Sequence, residues 1–297
     1  MDNGRCRLCN SHGPLRESHI IPSFVFRWIK ESASTSFLRF GENMNQRVQD
    51  GLKPRFLCEK CEGRFNVWET PFATKFFRPL HDDGQKVFQY GPWMAKCVAS
   101  IVWRILSWRQ EQEYANDDVS VLVMQDIGHA LETWSKFLLE ESESVGDYEL
   151  HLVPLGSIES VDGPAPPGNI NRYLLRSLDM DLIRDSLSAT VYCKMGRALL
   201  LGFVREPEAK RWQGTRVDVG DGILGDTNLF LPDWLLRFLC SKAERLEQLE
   251  SSMSERQRKV IAKSQSVDPE RVAMSDTLHA RITDAELQLM RKRGRAL

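Results

Sequence analysis

A chain of 297 residues has room for a small module beside a larger domain, each with its own core. Charged residues at 27% and hydrophobic residues at 42% exclude a disordered chain, and no apolar run approaches the ~18 residues of a membrane-spanning helix. The formal charge of -1 hides an asymmetry: residues 1–80 carry thirteen Lys and Arg against eight Asp and Glu, leaving -6 on the remainder, a small bias toward nucleic acid as a partner of the first part.

The opening stretch MDNGRCRLC lacks the charged-then-apolar layout of a secretory signal, so the expected location is the cytoplasm. Thiols stay reduced there. The two C-x-x-C pairs, Cys6 with Cys9 and Cys58 with Cys61, therefore read as metal ligands rather than disulfides, and four thiolates suit the closed tetrahedral shell of a structural Zn2+. Cys97, Cys193 and Cys240 stand in apolar surroundings and read as small buried hydrophobes. The first pair, in CRLCNSHG, has the form of a zinc knuckle. The second opens a helical pattern through Phe65, Trp68 and Phe72. Knuckle, intervening hairpin and a helix beginning at the fourth ligand describe a treble clef. In it the segment around His19 is the first hairpin strand, packed across the helix that carries Glu62, Asn66 and Glu69.

Beyond this module, assigned to residues 1–85, the pattern changes. Met94, Val98, Ile101, Ile105 and Trp108 recur at helical spacing after Pro92, which predicts a buried helix. Leu122, Ile127, Leu131, Trp134 and Leu138 predict a second, with Asp117 or Asp118 as cap, paired antiparallel with the first. Together they fill residues 92–142. A small antiparallel sheet is expected over 146–220, from the alternating YELHLVPLG and from SATVYCKMGRALLLGFVRE, which reads as two strands joined at Lys194 to Arg197. The proline-rich VDGPAPPGN is a loop. Helices return over 231–297, first as one long amphipathic helix or a pair, then as the basic end LMRKRGRAL. The fold class is α+β, a zinc module followed by a mixed domain over 90–297 that senses or scaffolds.

The run Cys-x-x-Cys, then Ser-His-Ile-Ile-Pro, then Leu-Cys-x-x-Cys-Glu, within about residues 5–70, resembles the zinc-containing HNH endonucleases of the ββα-metal fold. The resemblance implies an endonuclease that hydrolyses phosphodiester bonds of nucleic acid, with DNA the expected substrate. It implies His19 as general base, and a catalytic Mg2+ or Mn2+ held from the helix after Cys61, with Asn66 the preferred ligand, Glu62 the second and Glu69 a third. The chemistry agrees, since the ordinary pKa of His suits a base near neutrality and a hard cation offsets charge on phosphate oxygens. Two departures stand out: Ser18 occupies the place of a ligand, and DGLKPRFLC holds no bracing Asn, Asn43 and Asn45 lying upstream. HNH modules joined to larger sensing bodies are common in bacterial defence against phage, so the resemblance extends to an anti-phage effector with an activator or partner protein. The competing reading is a non-catalytic zinc adaptor that binds nucleic acid or protein. The carboxy-terminal helices offer a surface for a homo-oligomer. Of the other histidines, His12 is read as exposed or supporting the knuckle and His81 as part of an exposed turn, while His129, His151 and His279 take no catalytic role. Trp28, near Arg27 and Lys30, is the aromatic best placed for a phosphate backbone, with core packing as the competing account.

Overall fold

The computed structural model describes residues 3–113, 121–159, 165–225 and 229–294. The expected caps Asp117 and Asp118, residues 160–164 of the proline-rich loop and the last three residues lie outside them.

A short hairpin of β1 (Asn3–Arg5) and β2 (His12–Glu17) opens the chain. Its tight turn carries Cys6 and Cys9, and Asn10 there takes a left-handed φ of 59°, which Asn tolerates better than most residues. Next come α1 (Ser23–Glu31) and a second hairpin, β3 (Leu38–Phe40) with β4 (Asn43–Val48). Strand β5 (Arg55–Cys58) returns beside β2, giving a three-stranded order β1-β2-β5 with Leu15 opposite Cys58. Helix α2 (Glu59–Phe72) begins directly after Cys58, passes through a π-helical segment (Ala73–Phe77) and continues as α3 (Arg78–Asp82).

The carboxyl end of α1 is finished by distant residues. Arg176 donates to Ile29 O at 3.2 Å, Arg271 to Lys30 O at 2.5 Å and Ala33 O at 2.9 Å, and Asp276 N–H to Ser32 O at 3.0 Å. These carbonyls have no partner within the helix, so the cationic donors both satisfy them and suit the negative pole of the helix dipole.

After β6 (Phe88–Tyr90), α4 (Trp93–Glu113) runs through the centre, buried on almost every face over Met94 to Leu106. Helix α5 (Val121–Leu139) packs against it antiparallel, with Lys96 Nζ donating to Phe137 O and Trp103 Nε1 to Ser135 Oγ at 2.8 Å. Its buried face runs through Val123, Ile127, Ala130 and Trp134, whereas Leu122, expected inside, is exposed. Strand β7 (Leu150–Pro154), helix α6 (Ile170–Arg176), then β8 (Leu178–Arg184), β9 (Ala189–Met195) and β10 (Ala198–Arg205) give one antiparallel sheet of order β7-β10-β9-β8. Its period of two divides the residues of β9 and β10 between its faces. Val191, Cys193, Ala198 and Leu200 meet α4 and α5, while Tyr192, Leu199, Leu201 and Phe203 meet α6 and α7 (Asp233–Ser251). Strand β11 (Gly222–Leu224) pairs with β6, and α8 (Glu255–Val267), α9 (Pro269–Ala273) and α10 (Asp276–Gly294) complete the described chain.

The first buried cluster is continuous across residues 86–92: Cys61, Phe65, Phe77, Phe88, Met94 and Leu200 all belong to it. The zinc-type module and the body thus share one core. His81 corrects the expectation of an exposed turn. It is buried, its Nδ1–H donates to Phe77 O at 2.7 Å and its Nε2 accepts from Arg197 N–H at 2.8 Å. Gly196, at φ +60°, passes so close that an added Cβ would meet His81 Nε2 at 2.6 Å and Trp28 at 2.9 Å. Trp28 is itself buried, and its Nε1–H is taken by Asp82 at 3.0 Å, so it packs in the core rather than facing a phosphate backbone.

Candidate functional site

Four sulfur atoms gather where the β1–β2 turn, the end of β5 and the first turn of α2 meet. The Sγ atoms of Cys6, Cys9, Cys58 and Cys61 all lie within 4.8 Å of one another. Cys9 and Cys58 stand 3.7 Å apart, far beyond the ~2.05 Å of a disulfide and close to the ~3.8 Å edge of a tetrahedron with 2.3 Å zinc–sulfur bonds. The donor set and its spacing therefore fit a metal ion such as zinc. The hairpin supplies two ligands because Cys6 N–H bonds Ser11 O and Asn10 N–H bonds Cys6 O, both at 2.8 Å, folding the knuckle tightly. A further bond, Arg7 N–H to Phe56 O at 2.9 Å, lays the knuckle against β5. Hydrogen bonding from Cys61 draws the Cys6 thiol well below its ordinary pKa, and the same contact with burial drives Cys61 upward. One thiolate forms at the expense of its neighbour, which is how a thiol cluster behaves until a cation offsets the charge of all four.

Past β2 the chain keeps to its partner without forming a regular strand. Ser18 N–H bonds Pro54 O at 3.0 Å and Ile20 N–H bonds Leu52 O at 3.1 Å, after a register shift at Arg16/Glu17. His19 sits between these two bonds. Its Nε2 meets Asp50 Oδ2 at 2.9 Å, and Asp50 also receives Gly51 N–H at 2.9 Å and Lys53 Nζ at 3.3 Å. Burial raises the Asp50 pKa, but the hydrogen bonds from His19, Gly51 and Lys53 outweigh it and hold the carboxyl below the usual range. The Nδ1 of His19 has no hydrogen-bond partner among the described residues.

Ser18, fully buried, donates its hydroxyl to Glu62 Oε2 at 2.6 Å, joining the His19 segment to the first turns of α2. Glu62 is thus beside the His19 segment. Asn66, one turn further along α2, is exposed, and its side chain makes no hydrogen bond among the described residues. Glu69 is committed elsewhere: its Oε1 accepts from Arg104 Nη2 at 2.6 Å. The same Arg104 donates through Nη1 to His19 O at 2.6 Å. Among the described residues, the four cysteines are the one group of three or more metal-capable side chains with ligand atoms this close. His19, Asp50 and Glu62 do not form a second such cluster.

Two residues here escaped the sequence, Asp50 and Arg104. The Asp-Gly pair at 50–51 marks a turn, and prolonging the β2–β5 pairing beyond its regular end brings Lys53 across from His19, with Asp50 three residues away at that turn. Arg104 interrupts an apolar helical run, a place where a cation needs a partner. The remaining histidines stand apart from this region. His12 and His129 are exposed, His279 is exposed on α10, and His151 is buried between Thr215 Oγ1 at 2.8 Å and Glu149 Oε2 at 3.2 Å. No described helix is long and apolar enough to cross a membrane. No family model, curated protein or solved structure matches the chain.

Proposed function

We propose that the chain is a metal-dependent endonuclease of the HNH type, acting on phosphodiester bonds of nucleic acid, DNA first, with a treble-clef module stapled by Zn2+ on Cys6, Cys9, Cys58 and Cys61. A reducing compartment, the cytoplasm, belongs to the same proposal because it keeps those thiols available. Four thiolates close the zinc shell and leave no position for substrate, so the staple and the chemistry fall to different residues. The observation that carries the reading is the hold on His19: Asp50 takes its Nε2, while Ser18 ties the same segment to Glu62 on the helix after Cys61. With Asp50 accepting from Nε2–H, the Nδ1 lone pair is left to draw a proton from the attacking water. The adjacent carboxylate then favours the imidazolium that results. Glu62 keeps one carboxylate oxygen outside its bond from Ser18, and Asn66 offers an amide oxygen on the same face one turn away. These hard donors suit Mg2+ or Mn2+, which when bound would neutralise charge on the scissile phosphate. The basic surplus of residues 1–80 suits a polyanionic substrate.

One observation favours a second reading. His19, Asp50 and Lys53 form a closed set of charges and hydrogen bonds, which is what a histidine in a non-catalytic zinc adaptor would also show. Incubating the protein with plasmid DNA and magnesium or manganese separates the two. The nuclease nicks or linearises the plasmid, and His19→Ala loses at least ~10²-fold of that rate, the usual share of a general base. Intact plasmid and intact RNA under both metals and with candidate activators leave the adaptor. Equal cutting by the variant removes His19 from the role of base.

A further inference from the structure

One side chain of the body, Arg104, bonds the backbone of His19 directly. On α4, where nearly every residue from Met94 to Leu106 is an apolar core residue, Arg104 is a cation with 1% of its side chain exposed. All three of its guanidinium nitrogens donate to fixed acceptors. Nη1 bonds the backbone carbonyl of His19 at 2.6 Å, Nη2 bonds Glu69 Oε1 at 2.6 Å, and Nε bonds Ser100 O at 3.1 Å. The guanidinium also lies over the Phe65 ring, 5.1 Å from its centroid. A buried ion pair is a poor stability device, because the desolvation of both charges offsets their attraction. What a buried guanidinium does supply is geometry, since its planar fork holds two acceptors at a set distance and angle.

Here the acceptors belong to different elements, the His19 backbone and α2. We infer that Arg104 is a positioning residue for His19. By gripping the carbonyl of His19 and Glu69 together, it fixes the backbone from which the imidazole projects and keeps it in register with the helix that carries Glu62. Any displacement of α4 relative to α2 is therefore felt at His19, which gives the larger body a mechanical route to the site. The effect on rate rests on the nuclease reading. The effect on the His19 ring does not.

The test uses Arg104→Lys in the full-length protein. Lysine keeps a charge opposite Glu69 but cannot bond two acceptors as a fork. The expected result is unchanged zinc content, a roughly tenfold or greater fall in kcat with KM unaltered, and a displaced His19 ring signal in a histidine-selective NMR spectrum, the signal being identified by its absence in His19→Ala. A wild-type His19 signal in folded Arg104→Lys overturns the inference. The double variant Glu69→Gln/Arg104→Met, which leaves no unpaired charge in the core, serves where lysine does not fold and carries the same expectation. If neither variant folds, Arg104 is a stability element and the inference falls. Absence of cutting by the wild-type protein removes the nuclease reading alone, and the ring signal still decides on Arg104.

Discussion

Between Asp50 and His19, 2.9 Å of hydrogen bond joins two residues separated by 31 positions. Asp50→Asn keeps the shape and removes the charge that favours a protonated His19, so under the proposed nuclease function we expect kcat for cleavage to fall by about 10²-fold, read against wild-type protein at equal metal. The same carboxyl is held below its ordinary pKa in the folded protein, so it adds stability above the unfolded value of about 3.9 and loses it as pH falls through the folded value. Thermal melts of wild type and Asp50→Asn should therefore differ at pH 7 and converge below about pH 4; a constant gap would show that the ionised carboxylate is not what distinguishes them. The cysteine cluster was legible because its signal is local, two C-x-x-C spacings, and Ser-His-Ile-Ile-Pro drew attention to His19 for the same reason. Asp50 was not, since its meaning depends on a pairing that closes only after α1 and the β3–β4 hairpin have intervened. Arg104, 85 positions from the carbonyl it holds, was further out of reach.

Elements with a clean period were readable in advance: α4 from its apolar recurrence, and β9 and β10 from their apolar runs and the Gly196 turn. Helix α6 and β8 were not, because INRYLLRSLDMDLIR mixes apolar and charged residues, and β8 is half-buried without alternation. The four-cysteine centre joins the β1–β2 turn, the end of β5 and the first turn of α2. It closes a loop between Cys9 and Cys58, 49 positions apart, and by the chain-entropy account such a closure is worth on the order of 4 kcal/mol. We expect Cys58→Ser, or prolonged chelation, to abolish stoichiometric zinc and to lower the melting temperature by about 10 °C, measured by metal analysis and calorimetry. Native zinc content and melting in the variant would remove Cys58 from the centre. Because β5 ends at Cys58 and α2 starts directly after it, loss of a metal bound there should also free the Ser18–Glu62 contact.

For the molecule as a whole, two histidines are buried where protons are unwelcome, His81 against Trp28 and Phe77 of the shared core and His151 against Phe203 and Trp212 on the other face of the sheet. Burial pushes His81 and His151 down to about 3. In the unfolded chain both bind protons near pH 6.5, so below that pH the unfolded state takes up protons that the folded state does not, and stability falls until the folded values are reached. Each group costs on the order of 3 kcal/mol by pH 4, so stability should decline from about pH 6.5 downward, before most carboxylates protonate. His151→Gln should lose part of that acid sensitivity in a pH series of urea melts, and an unchanged slope between pH 6 and 4 would exclude His151 as its source. The donors that complete α1 raise a matter of timing. Lys30 and Arg271 are 241 positions apart, so a ribosome must nearly finish the described chain before the Lys30 carbonyl can meet this donor. A nascent chain released early would carry α1 without the donors that complete its carboxyl end.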